Sequence, residues 1–322
     1  YIYGSPDDGI KSNNNAVISG GSITIKSGDD GISVAGSLDI TGAASINISD
    51  SYEGIEAATV NIGKSGSPSV EISSNDDCIN ASSKTVTYVY ADEDEETYTK
   101  TSVSGTDAAL NVYGGTLTVS VADETEHSYS GYNESGDSIS IIYEADGDGL
   151  DSNGTLNLAG GAVTVYGAVS NDNAALDYNT SYTLGSGITL LALGASGMTE
   201  SVTVASQSYV EFGGMSMGNM GDMPNANITG AGPGDANSQN NGFGPQNDNI
   251  MQPGSGNMQN AAVFTLTAGS VFAINDSSGN SLVSQTAGKA YTYVFYSSPS
   301  LSSGSTYTLT SGGSEVASST AG

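Results

Sequence analysis

Residues 29–32 read Asp29-Asp30-Gly31-Ile32, and this acidic motif, an acid followed by a small residue and an aliphatic one, returns along the chain. The other copies are Asp7-Asp8-Gly9-Ile10, Glu53-Gly54-Ile55-Glu56, Asp76-Asp77-Cys78-Ile79-Asn80, Asp148-Gly149-Leu150-Asp151 and, more weakly, Asn173-Ala174-Ala175-Leu176-Asp177. The first four aliphatic residues are 22, 23 and 24 positions apart. A repeat of this length predicts a solenoid, because one unit alone cannot bury its apolar face.

Short runs of alternating residues lie between the motifs, for example at 21–27, 44–49 and 69–73. Alternation with β-branched residues indicates strands, and no stretch of the chain has a helical period. Strands joined by glycine turns at this period fit a parallel β-helix, with a sandwich of hairpins as the alternative. We favour the β-helix, because identical motifs in a fixed order place each motif over the next.

The sequence predicts an all-β fold in three parts. Residues 1–212 form the parallel β-helix, and the spacing widens from Ile79 to Leu110 and again to Leu150, which predicts hairpin insertions near 83–104 and 122–145. Residues 213–260 are rich in Gly, Asn and Met and predict an ordered loop or linker. Residues 261–322 return to alternation and predict a small C-terminal antiparallel β cap, because the end of a solenoid exposes a strand edge.

The charge balance excludes one class of partner. The chain has a net charge of −29, with six lysines and no arginine. Binding to the phosphate backbone of nucleic acid needs basic groups, so no nucleic acid partner is expected. No apolar run reaches transmembrane length, so no direct membrane insertion is expected either. The one cysteine, Cys78, occupies the small position of a motif and is expected to be a buried apolar residue.

Stacking the motifs brings carboxylates together. Neighbouring strands lie about 4.8 Å apart, and two carboxylates at that distance repel by roughly 3–4 kcal/mol at an effective dielectric constant near 20. Calcium binds oxygen at about 2.3–2.6 Å and therefore fits between two turns of a solenoid. The ligands are hard oxygens without a His or Cys cluster, which argues against zinc. The alternative is that these residues only form Asx turns at the corners.

We therefore predict that Ca²⁺ binds along the acidic motifs. The candidate ligands are Asp7, Asp8, Asp29, Asp30, Glu53, Glu56, Asp76, Asp77, Asn80, Asp148, Asp151 and Asp177.

The sequence predicts that the protein is not an enzyme. A calcium-dependent polysaccharide lyase needs a basic residue to take a proton, and only Lys11 closely follows an acidic motif. The single histidine, His127, falls in a polar hairpin tip and is expected to be exposed. Carboxylates for glycoside hydrolysis are plentiful, but no pair stands out. A lyase is kept as an alternative.

The ordered series of motifs resembles a bacterial family, the extracellular parallel β-helix carbohydrate-binding proteins of cellulolytic clostridia, which bind cellulose and acidic sugars. The resemblance lies in residues 29–42, 51–56, 76–81, 147–154, 175–179, 194–198 and 297–309. It implies a right-handed β-helix with a shape similar to polysaccharide lyase family nine, bound calcium, and adhesion to plant polysaccharide outside the bacterial cell or at its surface. By motif, the family's calcium ligands fall on Glu53, Glu56, Asp76, Asp77, Asn80, Asp148 and Asp151.

Two partners follow from these observations. The first is an acidic or cellulosic polysaccharide, since an acidic protein needs a cation to bridge to an acidic sugar. Tyrosines on the predicted hairpins are candidates for contacting sugar rings, or else they pack the hairpins: Tyr88, Tyr90, Tyr98, Tyr129, Tyr132 and Tyr143. The second is the protein itself, as a subunit of an extracellular fibre or matrix assembled head-to-tail through open β-helix ends.

Overall fold

The computed structural model describes residues 1–90, 98–105, 107–122, 127–132, 138–143, 147–170, 172–213 and 264–322, with the backbone alone at 84–90, 98–105, 127–132 and 138–143. Every regular element in these ranges is a β-strand, which confirms the predicted all-β class. Within them, the chain contains no helix of the length and apolarity that a membrane crossing demands. The predicted loop or linker at 213–260 lies outside the described residues, apart from Gly213.

The first sheet has nine strands. In spatial order they are β1 (Ile2–Ser5), β4 (Ser22–Ser27), β6 (Ser45–Asp50), β8 (Ser69–Ser74), β13 (Thr116–Val121), β18 (Gly161–Tyr166), β21 (Ile188–Gly194), β26 (Tyr293–Ser297) and β23 (Tyr209–Phe212). Every pairing from β1 to β21 is parallel. Strand β26 then pairs antiparallel with both β21 and β23.

The second sheet has eleven strands, and all its pairings are parallel. The long strands β5 (Ile32–Gly42) and β7 (Ile55–Gly66) pair along their whole length. The remaining strands are β2 (Ile10–Ser12), β3 (Ala16–Ile18), β9 (Ile79–Ala81), β12 (Ala109–Val112), β16 (Leu150–Ser152), β17 (Thr155–Leu158), β19 (Leu176–Tyr178), β20 (Ser181–Leu184) and β22 (Val204–Ala205).

The chain passes from one sheet to the other within each repeat, so the fold is solenoid-like. The aliphatic residues of the motifs pair in register from one turn to the next: Ile10, Ile32, Ile55, Ile79, Leu150 and Leu176. From Ile32 to Leu150 these side chains are completely buried. The hairpin sandwich is wrong for this body, because its neighbouring strands are parallel.

One detail of the predicted spacing is wrong. Leu110 is not the next motif after Ile79, because it pairs with Val60 and Leu156 in the other half of the second sheet. Ile79 pairs directly with Leu150. A single turn of the solenoid therefore runs from Ile79 to Leu150, and both insertions interrupt this one turn.

The two insertions and the C-terminal segment are antiparallel. The insertions are hairpins of β10 (Ser83–Tyr90) with β11 (Tyr98–Gly105) and of β14 (His127–Tyr132) with β15 (Ser138–Tyr143). A four-stranded sheet follows near the C-terminus, in the order β25 (Ser281–Thr286), β24 (Val271–Asn275), β27 (Thr306–Ser311) and β28 (Ser314–Thr320).

The four-stranded sheet packs on the outer face of the solenoid. Leu190 and Ala192 of β21 point into the main core, whereas Leu191 and Leu193 join a second core with Phe272 and other residues of the C-terminal strands. Strand β26 is buried on both faces for the same reason. The C-terminal segment thus covers the outer face near the last parallel strand, while β26 and β23 extend the sheet beyond it.

Glycine at the corner of four of the motifs permits the close approach of successive turns. A Cβ atom on Gly54 would lie 2.3 Å from the carbonyl oxygen of Cys78 and 2.3 Å from Cγ2 of Ile72. At that distance the atoms would overlap, and the tightly packed interior leaves no space into which either could move. Cys78 takes the small position in the next turn and is fully buried, as predicted.

Replacing this glycine tests the close approach. We expect Gly54→Ala to lower the free energy of unfolding by about 1–3 kcal/mol, the usual cost of overpacking. Gly20→Ala is the matched control, because a Cβ there meets nothing within 4 Å. Urea unfolding of both variants gives the comparison, and equal stabilities would contradict the close approach.

Candidate metal site

The in-register pairing of the second sheet stacks the residues that follow each aliphatic residue. We call this stack the motif column, and its members in spatial order are Lys11, Ser33, Glu56, Asn80, Asp151 and Asp177. A second stack consists of the residues two places before each aliphatic residue. Backbone hydrogen bonds connect it from one turn to the next, and its members are Asp8, Asp30, Glu53, Asp77, Asp148 and Ala174. The two stacks run side by side along one edge of the solenoid.

Three groups of carboxylates form among the acidic motifs of the described residues. In each group, one oxygen of every carboxylate lies within 4.8 Å of the others. The first cluster is Asp7, Asp8 and Asp29; the second is Asp30, Glu53 and Glu56; the third is Asp148, Asp151 and Asp177. Each cluster takes its acids from two successive turns, so nine of the twelve predicted ligands are brought together.

The second cluster contains a buried oxygen without a partner. Oε1 of Glu53 accepts a hydrogen bond of 3.2 Å from Nδ2 of Asn80. Its Oε2 is buried and has no hydrogen-bond partner among the described residues. Leaving a buried acceptor unsatisfied costs about 1–3 kcal/mol, and more for a charged group. A proton or a cation at this oxygen would satisfy it.

The proton affinities of the second cluster agree with this description. Burial, reinforced by the neighbouring carboxylates, raises the pKa of Glu53 to about 9. Burial and the charges of Asp29 and Glu56 raise the pKa of Asp30 to about 8, and only 7% of Asp30 is exposed. These carboxylates need either a proton or a cation at neutral pH.

The third cluster is more exposed and better bonded. Oδ1 of Asp148 accepts a 2.6 Å hydrogen bond from the backbone N–H of Ala174. Oδ1 of Asp177 accepts a 2.8 Å bond from the N–H of Tyr178. Burial, together with the charge of Asp177, raises the pKa of Asp151 to about 7. Asp151 also accepts a backbone hydrogen bond, from Ser152, so backbone donors fix all three carboxylates of this cluster.

The first cluster differs from the other two because a lysine lies in it. Nζ of Lys11 is 2.5 Å from Oδ2 of Asp8, whose side chain is 3% exposed. The hydrogen bond to Asp8 raises the pKa of Lys11. Burial and the charges of Asp8 and Asp7 raise the pKa of Asp29. The carboxylates of the first cluster therefore already have one positive charge beside them.

Three predicted ligands belong to none of the clusters formed by described residues. Oδ1 of Asp77 accepts a 2.7 Å hydrogen bond from the N–H of Asp148, and burial raises the pKa of Asp77 to about 8. Asp76 is hydrogen-bonded to the side chain of Tyr52. Asn80 donates to Glu53, as described above. These residues lie in the turn between the second and third clusters and connect them.

The sequence predicted that carboxylates of successive motifs approach one another, but it did not show which acids of neighbouring turns share a cluster. Asp30 joins Glu53 and Glu56, and Asp177 joins Asp148 and Asp151. The ion pair of Lys11 was also missed, although a lysine in the position that Glu56 and Asp151 occupy was a readable signal.

The candidate sugar-binding tyrosines lie on the two hairpins. Tyr88, Tyr90 and Tyr98 belong to β10 and β11, and Tyr129, Tyr132 and Tyr143 belong to β14 and β15. Their side chains lie outside the described residues, so their role stays a prediction.

Comparison of the chain with protein-family models, with curated proteins and with solved structures gives no match. The resemblance to extracellular β-helix carbohydrate-binding proteins therefore stays a prediction.

The raised pKa values predict how stability depends on pH without metal. Carboxyls titrate near pH 4 in an unfolded chain, whereas Asp151, Asp30, Asp77 and Glu53 titrate at about 7, 8, 8 and 9 when folded. Between these values the folded state binds more protons, so the free energy of unfolding falls as pH rises. In EDTA we expect lower stability at pH 8 than at pH 5.

Urea unfolding at the two pH values measures this difference. Glu53→Gln removes one of the titrating groups and should make the decline with pH shallower. A stability that is constant or rises from pH 5 to pH 8 in EDTA would contradict the expected cost of the buried carboxylates.

Proposed function

We propose that this chain is an extracellular right-handed parallel β-helix that binds Ca²⁺ between its turns and, through the bound metal, binds acidic plant polysaccharide. The observation that carries the metal part is the second cluster, which combines three carboxylates of two successive turns. One of them, Glu53, has a buried Oε2 without a hydrogen-bond partner among the described residues. The right-handedness of the β-helix is supported by the parallel pairing, because crossover connections between parallel strands are right-handed in nearly all proteins.

The size and type of the site favour calcium. Two oxygens that share a calcium ion lie up to about 5 Å apart, since each is about 2.3–2.6 Å from the metal, and the oxygens of each cluster are within 4.8 Å of one another. Magnesium requires about 2.0–2.1 Å and nearly ideal octahedral geometry, which favours closer oxygens. Zinc prefers nitrogen and sulfur ligands, and the candidate ligands in these clusters are all carboxylates.

An incomplete shell of ligands connects the metal to a polysaccharide. Calcium takes about 6–8 oxygen ligands. Three carboxylates that each bind through one oxygen leave positions open, and the carboxylate of a uronic acid is a ligand of the right kind. The net charge of −29 would otherwise repel a polyanion. Binding to acidic sugar through calcium removes that repulsion and uses the open positions.

The lyase alternative is less well supported. Lys11 is the residue that the sequence offered as a base, and its ion pair with Asp8 raises its pKa. A lysine held more firmly in the protonated form is a poorer acceptor of a substrate proton. Head-to-tail assembly into a fibre stays a prediction from the sequence.

Calcium binding predicts a stabilisation that depends on the second cluster. A ligand at one hundred times its Kd stabilises a folded protein by about 2.7 kcal/mol per site. We expect calcium to raise the Tm at pH 7.5, and Glu53→Gln to reduce this increase. Glu71→Gln is the matched control, because Glu71 is exposed on β8 in the first sheet. Differential scanning fluorimetry with calcium or EGTA measures the change.

An increase in Tm that Glu53→Gln and Glu71→Gln leave equally unchanged would show that calcium binds elsewhere. The absence of any increase over a wide range of calcium concentration would contradict calcium binding itself.

Polysaccharide binding is tested separately. We expect the protein to sediment with insoluble polygalacturonate in calcium, to be released by EGTA, and to bind less when Glu53→Gln is introduced, because the metal forms the contact. Glu71→Gln again serves as the control. Sedimentation that EGTA leaves undiminished would contradict a calcium bridge, while calcium-dependent stabilisation without sedimentation would contradict only the polysaccharide part.

A further inference from the structure

The sign of the charge reverses at one end of the motif column. Lys11 pairs with Ser33, Ser33 with Glu56, and Asn80 and Asp151 follow in register. The position that carries Glu56 in the second cluster and Asp151 in the third thus carries a lysine at the first. The backbone register places these residues equivalently, so Lys11 occupies the position that an acid occupies in three of the later turns.

The lysine also reaches its cluster. Its Nζ lies 2.5 Å from Oδ2 of Asp8, and the negative charges of Asp7 and Asp29 act on it as well. The Asp8 side chain is almost completely buried, whereas more than half of the Lys11 side chain is exposed. The ammonium group therefore approaches the carboxylates from the solvent side, which is the side from which a metal ion would enter.

We propose that Lys11 is the resident cation of the first cluster and excludes calcium from it. This inference rests on the proposed function, since it assigns calcium to the second and third clusters and a lysine to the first. Asp7, Asp8 and Asp29, which the sequence predicts as metal ligands, then bind no calcium while Lys11 is present.

The physical reason is competition for the same oxygens. An ammonium group donates hydrogen bonds to carboxylate oxygens and neutralises one charge. A calcium ion at the first cluster would have to displace Nζ from Asp8 and would then lie next to a positive charge. The covalently attached lysine is present at a fixed, high effective concentration, so calcium must displace it in order to bind.

The consequence is a division along the solenoid. The first two turns are held together by the protein's own charge and do not respond to calcium. The turns joined by the second and third clusters respond to it. The proposed calcium dependence therefore belongs to one part of the edge on which the acidic motifs lie.

The experiment counts bound calcium ions in the intact chain. Lys11→Met removes the charge and keeps the aliphatic stem, and Lys11→Gln is a second variant of the same kind. Lys26→Met is the matched control, because Lys26 also forms an ion pair, with Asp50, outside the three clusters. Calcium is quantified by isothermal titration and by elemental analysis after gel filtration, with circular dichroism to verify folding.

We expect both Lys11 variants to bind one more ion than the wild type, and Lys26→Met to bind the same number as the wild type. Adding Asp29→Asn to Lys11→Met should remove the extra ion. Equal numbers in the wild type and the Lys11 variants overturn the inference and leave the proposed function standing. A wild type that binds three ions also overturns it, without any variant. A wild type that binds none overturns the proposed function and, with it, this inference.

Discussion

Parallel pairing in register between successive turns is the constraint on which the rest of the molecule depends. It places Ile32 over Ile55 and Ile55 over Ile79, which builds a continuous apolar core. The same register stacks the polar residues of successive turns on the outside. Stacked residues that can donate to and accept from one another are satisfied, whereas stacked carboxylates are not.

Two polar columns of the second sheet show the difference. On one, Nδ2 of Asn61 donates to Oδ1 of Asp39 at 2.8 Å, and Nδ2 of Asn111 donates to Oδ1 of Asn61 at 3.1 Å. An amide carries both a donor and an acceptor, so each satisfies the next. A carboxylate only accepts. Stacked carboxylates such as those beside Glu56 and Asp151 therefore cannot satisfy one another and require protons, an ammonium group or a metal ion.

Much of the fold could be predicted from the sequence, because its signals are local. The acidic motif marked each turn, and the alternating runs marked the strands. Leu110 was misassigned because the pattern of an aliphatic residue in a strand is the same in both halves of a turn. The sequence also did not indicate that the C-terminal strands cover the outer face at Leu191 and Leu193. A short apolar run is consistent with a buried strand, but it does not show which segment of the chain covers each face.

The candidate site was predictable in its residue types and not in its grouping. From the amino-acid sequence alone follow the period, the buried aliphatic residue, the glycine corner and the presence of acids on either side of it, because each depends on residues close together in the chain. Only the folded chain decides that Asp30 joins Glu53, that Asp148 joins Asp177, and that Lys11 lies against Asp8. These side-chain contacts depend on the register between turns and on the side-chain directions at a corner, and neither is encoded within a single motif.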